Sequence, residues 1–584
     1  MLDRRTHNNN KRHPGAHSCQ LRRCIFACLA LLLAAQAPAH EDHRHADAPQ
    51  QDAVQPQRDS VQQIIAGRIR QLEAGEKLVV DGHQIASVIL LPAIYKEHQY
   101  TPVWNNPRAV TQLLGAIRNI GQDGLNPSDY NLAALEKLLL RQARSTTPEP
   151  ALSADLDLLL TDSLIRLGYH LTFGKVDPEA LDPDWNMTRY VEDMDALVQQ
   201  AYAIDNGKVD QLIESLRPQA PKYTQLKAAL ASTRKLQQEG GWGTIPAGAT
   251  LKPGMSDPRV RSLRKRLMTT ADMPVMDIES ADFDAGVEQG VKNFQRRHGL
   301  EADGIVGKNT LAAMNVPVED RIDQIRANLE RARWALHDLP GTFILADIAG
   351  FRVSYFRDGE QVWQTRAQVG RPFRKSPIFK ARMTYMEVNP TWTVPPTILR
   401  EDILPAIKRD PEYLARKNMR VLDYQGNPVD PATLDWSQYT GTNFPYLLRQ
   451  EPGTENALGR IKFMFPNKHL VYLHDTPSKA LFGKATRAFS SGCIRIEHPY
   501  ELADLLVRND PNWNKQKIIE AVNSLETMTI GLREPVTIVL LYWTVDFADD
   551  GSVIFKNDLY RRDPAIIAGL AEDFAFRVSQ IIRD

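Results

Sequence analysis

Cysteine is scarce in this chain: four among 584 residues. Cys19, Cys24 and Cys28 sit at the extreme N-terminus, which leaves Cys493 alone in the rest of the sequence. A disulfide framework is thereby excluded. An excess of charge of either sign is missing too, since 71 Lys and Arg balance 71 Asp and Glu. That balance supplies no footprint for nucleic acid. Long apolar runs are also lacking. The most prominent, Cys24–Ala35, is too short for a comfortable membrane span. What remains, 43% hydrophobic and 24% charged residues, is ordinary globular composition and excludes a disordered, collagen-like or polytopic membrane chain. At roughly 150 residues per domain, the length asks for three or four domains.

Arg4, Arg5, Lys11, Arg12, Arg22 and Arg23 precede the apolar run, and Ala37-Pro38-Ala39 follows it as a small-x-small cleavage site. The pattern predicts a secretory signal peptide over 1–39, with an uncleaved membrane anchor as the alternative. Residues 40–60 are polar and read as a linker, in which His40, His43 and His45 are solvated rather than metal ligands.

Residues 61–240 read as a helical scaffold. Leu152, Leu156, Leu159, Leu160, Leu164 and Leu167 keep helical spacing, as do Leu132, Leu135, Leu138 and Leu139. Gly240-Gly241-Trp242-Gly243 marks a boundary, and residues 250–316 then read as three short helices. Val260, Leu263 and Leu267 form one stripe; Phe283, Val287, Val291 and Phe294 form another. Arg264-Lys265-Arg266 is expected to be a solvated helix face. A helix carrying Ile322, Ile325, Leu329 and Ala332 follows.

From Phe343 the period changes to two, with β-rich runs such as FRVSYF and a turn at Asp358-Gly359. Pro395-Pro396 stops this pattern. Residues 397–457 break the β pattern with helical and turn-rich sequence, which fits a lid or a small subdomain. Strands resume at IKFMF and HLVYLHD.

Two pieces carry chemistry. In HLVYLHD, alternation places Leu470, Tyr472 and His474 on one face, with His474 at a strand end where a loop exposes it. In SSGCIRIEHP, Ile494 and Ile496 point one way, Cys493 and Arg495 the other. Cys493 then sits on a Gly-assisted turn, away from an apolar face. Acyl transfer needs a thiolate, a base and oxyanion donors. A nearby imidazole lowers the thiol pKa and shuttles the proton, Gly492 lets the N–H groups of residues 491–493 face an oxyanion, and Arg495 adds charge or grips a carboxylate.

The segment HDTPSKALFGKATRAFSSGCIRI resembles the active-site motif of the L,D-transpeptidases with a YkuD-type catalytic domain: a His, a gap, then S-x-G-C-x-R. Cys493 follows His474 by 19 positions, which fits. Ser491 and Asp475 stand where the family often has His and Gly. Separately, VKNFQRRHGLEADGIVGKNTLAAM resembles the small helical peptidoglycan-binding domain. The whole arrangement is similar to the large YcbB-type branch of Gram-negative bacteria.

The resemblance implies a multidomain α+β protein: a helical scaffold, a three-helix peptidoglycan-binding domain over 250–316, and a β-rich catalytic domain over 340–545. The catalytic domain carries a lid-like insertion at 397–457 and is followed by a C-terminal segment, 546–584. It implies Cys493 as nucleophile and His474 as general base, then acid, with the imidazole oriented by a backbone carbonyl after His474. Ser491, Gly492 and Arg495 surround the thiolate; Tyr472, Asn389 and Trp392 line the cleft. Peptidoglycan stem peptides, a donor tetrapeptide and an acceptor stem, are the implied partners, with other wall-synthesis proteins a further possibility, and the place is the periplasm. Neither metal nor organic cofactor is required. The implied reaction releases D-Ala and forms a 3→3 cross-link. Alternatives are attachment of an outer-membrane lipoprotein to the wall and a cysteine amidase or carboxypeptidase. Amidases of the NlpC/P60 type place their cysteine before the histidine, the reverse of the order here.

Overall fold

The computed structural model describes residues 54–577 except 184, 192–201 and 276–277. The signal peptide, its cleavage site and His40, His43 and His45 lie outside the described residues. A helix, Val54–Glu73, begins inside the stretch read as a linker. Its apolar residues Val61, Ile65, Ile69 and Leu72 are buried, and the helix that carries them runs on upstream. Among the described residues no helix is long and apolar enough to cross a membrane.

The scaffold is built round α1 (Pro150–Phe173). Leu152, Leu156, Leu159, Leu160, Leu164 and Leu167 are all buried, and so are Asp157, Thr161, Asp162 and Ser163 between them. This helix is covered on every side rather than on one stripe. Leu113, Ile117, Leu135 and Leu138 from neighbouring helices fill the same core. Within residues 250–316 the helices Arg259–Thr269, Ala285–Arg297 and Lys308–Met314 enclose Val260, Leu263, Leu267, Val291 and Phe294. The solvated basic face expected there is overturned at two of its three residues. Arg264 is buried with its guanidinium 2.6 Å from Asp284, and Arg266 lies 3.9 Å over the Trp242 ring while donating to the Met314 carbonyl. A tertiary carboxylate and an indole, invisible in helical spacing, compensate both burials.

Helix α2 (Val318–Ala335) serves two cores. Ile322, Ile325, Leu329 and Ala332 pack into the catalytic core; Ala327 and Trp334 pack into the scaffold core. The C-terminal segment does likewise. Tyr560 joins the catalytic core, while Ile566 and Leu570 of helix Asp563–Ala571 join the scaffold.

The catalytic sheet contains β1 (Phe343–Asp347), β2 (Arg352–Arg357), β3 (Glu360–Gly370), β4 (Phe379–Val388), β9 (Ile461–Met464), β10 (Leu473–His474), β11 (Ala488–Ser490), β12 (Ile494–Ile496) and β13 (Met528–Leu541). Their order is β11-β3-β12-β10-β9-β4-β13-β1-β2, and β2 pairs again with β3, so the sheet closes on itself. The length of β3 makes this work: Glu360–Arg366 pairs with β2, and Ala367–Gly370 pairs with β12 and β11. Between β4 and β9 lies the insertion, with its own antiparallel sheet of β5 (Trp392–Thr393), β8 (Leu447–Gln450), β6 (Met419–Leu422) and β7 (Pro428–Val429), in that order. Leu399, Ile403, Leu404, Leu414, Val421 and Leu448 form a separate core inside it. Trp436, Tyr439, Phe444 and Tyr446 stack edge to face or offset against it, at 5.2–6.3 Å between rings. The insertion is a packed subdomain.

Candidate active site

β10 and β12 run parallel, with Leu473 opposite Ile494 and His474 opposite Arg495. Ile494, Ile496 and Leu473 are fully buried on the inner face. Alternation therefore places Tyr472, His474, Cys493 and Arg495 together on the other face. Cys493 and His474 are diagonal neighbours there.

The turn before Cys493 is built by hydroxyls. Ser490 Oγ donates to the Cys493 carbonyl (2.5 Å) and accepts the Gly492 N–H (3.1 Å). The Gly492 carbonyl accepts from the buried Ser376 Oγ at 2.6 Å. Gly492 has φ +119°, a value that suits glycine alone. Its N–H is occupied, so of the amides expected to serve an oxyanion it drops out. Ser491 is exposed and its Oγ accepts from Arg374 at 2.7 Å. That hydroxyl, standing where the family often has His, anchors a loop.

His474 is not exposed by a loop; only 3% of its surface is accessible. Its Nδ1 lies 2.5 Å from the carbonyl of Asp475. If that nitrogen carries the hydrogen, Nε2 is the basic position. Burial first, and then the neighbouring Arg495, lower the His474 pKa to about 3. The Asp475 carboxylate is occupied elsewhere, by Lys479 Nζ at 2.5 Å and the Arg460 N–H at 2.9 Å. It packs so close to Gly459 that a Cβ there would meet its Oδ2 at 2.5 Å.

The predicted strand through Leu470 is shorter than the alternation suggested. Leu470 has φ +54° and is exposed, in a turn ahead of β10. Its carbonyl faces Cys493 Sγ at 3.9 Å. Cys493 is half-buried, and burial pushes its thiol up, against the lowering effects of the Tyr472 N–H, Arg495 and Lys462. Thiol and imidazole are thus both neutral near pH 7. Two neutral partners suit proton transfer during attack rather than a standing ion pair.

Arg495 makes one long contact, Nη1 to Gln368 Oε1 at 3.5 Å, and its buried Nε has no hydrogen-bond partner among the described residues. Burial lowers its pKa. A half-buried guanidinium short of partners is suited to a carboxylate ligand. Tyr472 stays beside this group, its ring 4.3 Å under Lys462 Nζ.

The other two cleft residues belong elsewhere. Asn389 is fully buried; it donates to the carbonyls of Ala521 and Glu526 and accepts from Arg460. It staples three chain segments, and its φ of +47° explains why an Asn stands there. Trp392 lies on β5 and packs on the insertion's core. Sequence reasoning missed Lys462, which pairs across β9–β10 with His474 and bears on both reactive groups. The one signal was a lone charge in IKFMF, on the face opposite Ile461 and Phe463. It also missed Arg374, which joins Glu401 and Asp402 of the insertion to Ser491.

Three regions of the chain match known families. Residues 341–519 match the L,D-transpeptidase catalytic domain, 256–314 a peptidoglycan binding domain, and 90–230 a scaffold domain. The chain thus carries one region that matches the YkuD-type L,D-transpeptidase catalytic domain and another that matches a peptidoglycan-binding domain. A Haemophilus influenzae protein named provisionally as an L,D-transpeptidase is 35% identical over 223 residues, 38% of this chain. The match spans about half (45%) of that relative's length. Among solved structures, the L,D-transpeptidase from Xylanimonas cellulosilytica is 14% identical with a TM-score of 0.15, covering 51% of this chain and 99% of its own. The L,D-transpeptidase from Stackebrandtia nassauensis is 12% identical with a TM-score of 0.20, covering 51% and 96%.

Proposed function

We propose that the protein forms 3→3 cross-links in periplasmic peptidoglycan through a thioester on Cys493, in the manner of the YcbB-type branch. The parallel register that sets His474 opposite Arg495, and so puts Cys493 on the same face, carries this reading. Cys493 sulfur adds to the carbonyl between the diamino acid and D-Ala of a tetrapeptide stem. The thiol proton passes to His474 Nε2, the C–S bond forms, and the C–N bond breaks. D-Ala departs with that proton on its nitrogen. The side-chain amine of a second stem then attacks the thioester, gives up a proton to His474, and expels the thiol. Arg495 holds a stem carboxylate. The insertion, tied to the nucleophile's turn through Arg374, covers the thioester and favours amine over water. The three-helix domain holds the wall nearby.

The test is incubation with purified disaccharide-tetrapeptide. Expected products are free D-Ala, a 3→3 dimer and a protein adduct one tetrapeptide minus D-Ala in mass, located on Cys493. Dimer formed by Cys493→Ala, or D-Ala release without any adduct on Cys493, overturns the assignment.

A further inference from the structure

We propose that Ser376, clamped by Tyr560 of the C-terminal segment, sets the direction of the Cys493 amide and is thereby a positioning residue for oxyanion stabilisation. The proposal rests on Cys493 being the acyl-transfer nucleophile. A trans peptide holds its carbonyl and the following N–H antiparallel in one plane. The Gly492 carbonyl is turned inward onto Ser376 Oγ, 2.6 Å away, and Ser376 is wholly buried. The Cys493 N–H of that same peptide therefore points outward, on the half-buried side where Cys493 lies. No acceptor for it is seen among the described residues, whereas the Gly492 N–H is already donated to Ser490. The Cys493 amide is thus free for an oxyanion.

Glycine at 492 makes this orientation need an external anchor. Rotation of the following peptide plane is cheap next to a residue without Cβ. Ser376 supplies the anchor, and its own proton is fixed in place. Its oxygen accepts the Gly370 N–H at 3.0 Å, so the hydroxyl hydrogen is left for Gly492. Tyr560 then locks the two strands of this loop together. Its OH donates to the Gly370 carbonyl at 2.6 Å and accepts the Ser376 N–H at 3.2 Å. The approach is so close that a Cβ on Gly370 would lie 2.2 Å from the Arg374 carbonyl. Tyr560 stacks on Tyr542, with ring centroids 5.3 Å apart, and both lie beyond residues 341–519, where the catalytic domain match ends.

Two reactions of the same sulfur separate this role from a structural one. Adding the thiol to an amide carbonyl forms C–S and moves the π pair onto oxygen, which needs the Cys493 amide. Alkylation by iodoacetamide forms C–S and breaks C–I, with the electron pair leaving on iodide and the thiol proton going to solvent; it needs no oxyanion donor. Ser376→Ala in the full chain should slow D-Ala release from disaccharide-tetrapeptide about 10- to 100-fold. Its alkylation of Cys493, followed by intact mass, should stay within about two-fold. Tyr560→Phe keeps the ring stack and should show the same split, smaller in size. Equal losses in both reactions, or no loss in either, overturn the proposal. If Ser376→Ala does not melt cooperatively, the ratio in Tyr560→Phe decides, and an unchanged ratio overturns it. A wild-type protein that is alkylated at Cys493 yet releases no D-Ala instead defeats the transpeptidase reading itself.

Discussion

The scaffold and the catalytic sheet each bury a cluster of polar groups, and the clusters differ in how completely they are paired. In the scaffold, Asp162 accepts from the N–H groups of Ala86 and Ser87, from Ser87 Oγ and from Arg166 Nε, at 2.6–3.0 Å. Asp157 accepts from Tyr95 OH and from the N–H groups of Val103 and Trp104, at 2.5–3.0 Å. Both carboxylates are held by several donors, and the effect is to splice loop 85–104 onto α1. In the catalytic sheet the reverse holds. Cys493 Sγ meets only weak partners, the Leu470 carbonyl at 3.9 Å and the Tyr472 N–H, and among the described residues Arg495 has no carboxylate and an orphaned Nε. Leaving buried polar atoms unmade costs about 1–3 kcal/mol each. A fold tolerates that cost where an incoming group restores the pairing. Completeness of pairing thus separates the two scaffold carboxylates, Asp157 and Asp162, from Cys493 and Arg495.

The sharpest break of this contrast compares one residue from each cluster. Cys493→Ala should reduce dimer formation to background, a loss of at least about 10⁴-fold, with an unchanged melting temperature. Asp162→Ala should do the opposite. It strips a buried guanidinium of its partner and should cost about 3–5 kcal/mol in denaturant unfolding. The protein that stays folded should turn over normally. Loss of turnover per folded molecule in Asp162→Ala would blur the two clusters into one.

His474→Ala should slow D-Ala release by about 10² or more, since base and nucleophile act as a unit. Retention of over about a tenth of the rate would remove His474 from the mechanism. Arg495→Met should lower kcat/KM about 10- to 100-fold, mainly through KM, on the view that it grips a stem carboxylate. Its stability should hold or rise, because a methionine leaves no guanidinium nitrogen unmatched. A fall of several kcal/mol would make Arg495 a structural residue like Arg166.

Acid offers a smaller and signed difference. The folded His474 has a pKa of about 3 against the usual 6.5, through burial. The unfolded chain takes a proton first as pH falls, so this stabilisation is full above about 6.5 and drains away toward pH 3. Burial moves Asp157 the other way, from 3.8 to about 6. The folded state then binds the extra proton between those values, so Asp157 favours folding increasingly as pH falls from about 6 to 4. His474→Gln should flatten the loss of melting temperature between pH 6.5 and 4; Asp157→Asn should steepen it. Identical slopes in both variants would refute the assigned directions. The smallest effect concerns Glu401→Gln with Asp402→Asn, which unties the insertion from Arg374. Exposed pairs of this kind hold about 0.2–1 kcal/mol. Stability should barely move, and the tripeptide-to-dimer ratio should rise about two-fold. An unchanged ratio would leave the insertion without a role in excluding water.

Much of this molecule was legible from period and motif. The leucines of α1, the two stripes of the peptidoglycan-binding helices and the outward face shared by Cys493 and Arg495 all follow from spacing, because side-chain direction is a local property of helix and strand. Elsewhere the same reasoning erred for an equally physical reason. Arg264 and Arg266 look like a solvated face until Asp284 and Trp242 arrive from outside the helix. Asn389 looks like a cleft residue until its amide is found holding Ala521 and Glu526.

The sequence by itself determined which atoms could do chemistry: one thiol outside the N-terminal segment, an imidazole 19 residues before it, a glycine to shape the turn and an arginine two places on. These are properties of residue type and short spacing. Only the tertiary structure decided their state. The burial of His474 that makes it neutral, the approach of Lys462 and the chain from Tyr560 through Ser376 to the Gly492 carbonyl all join residues distant along the chain. Desolvation and hydrogen bonding act through space, and contacts of that kind exist only after the sheet has closed.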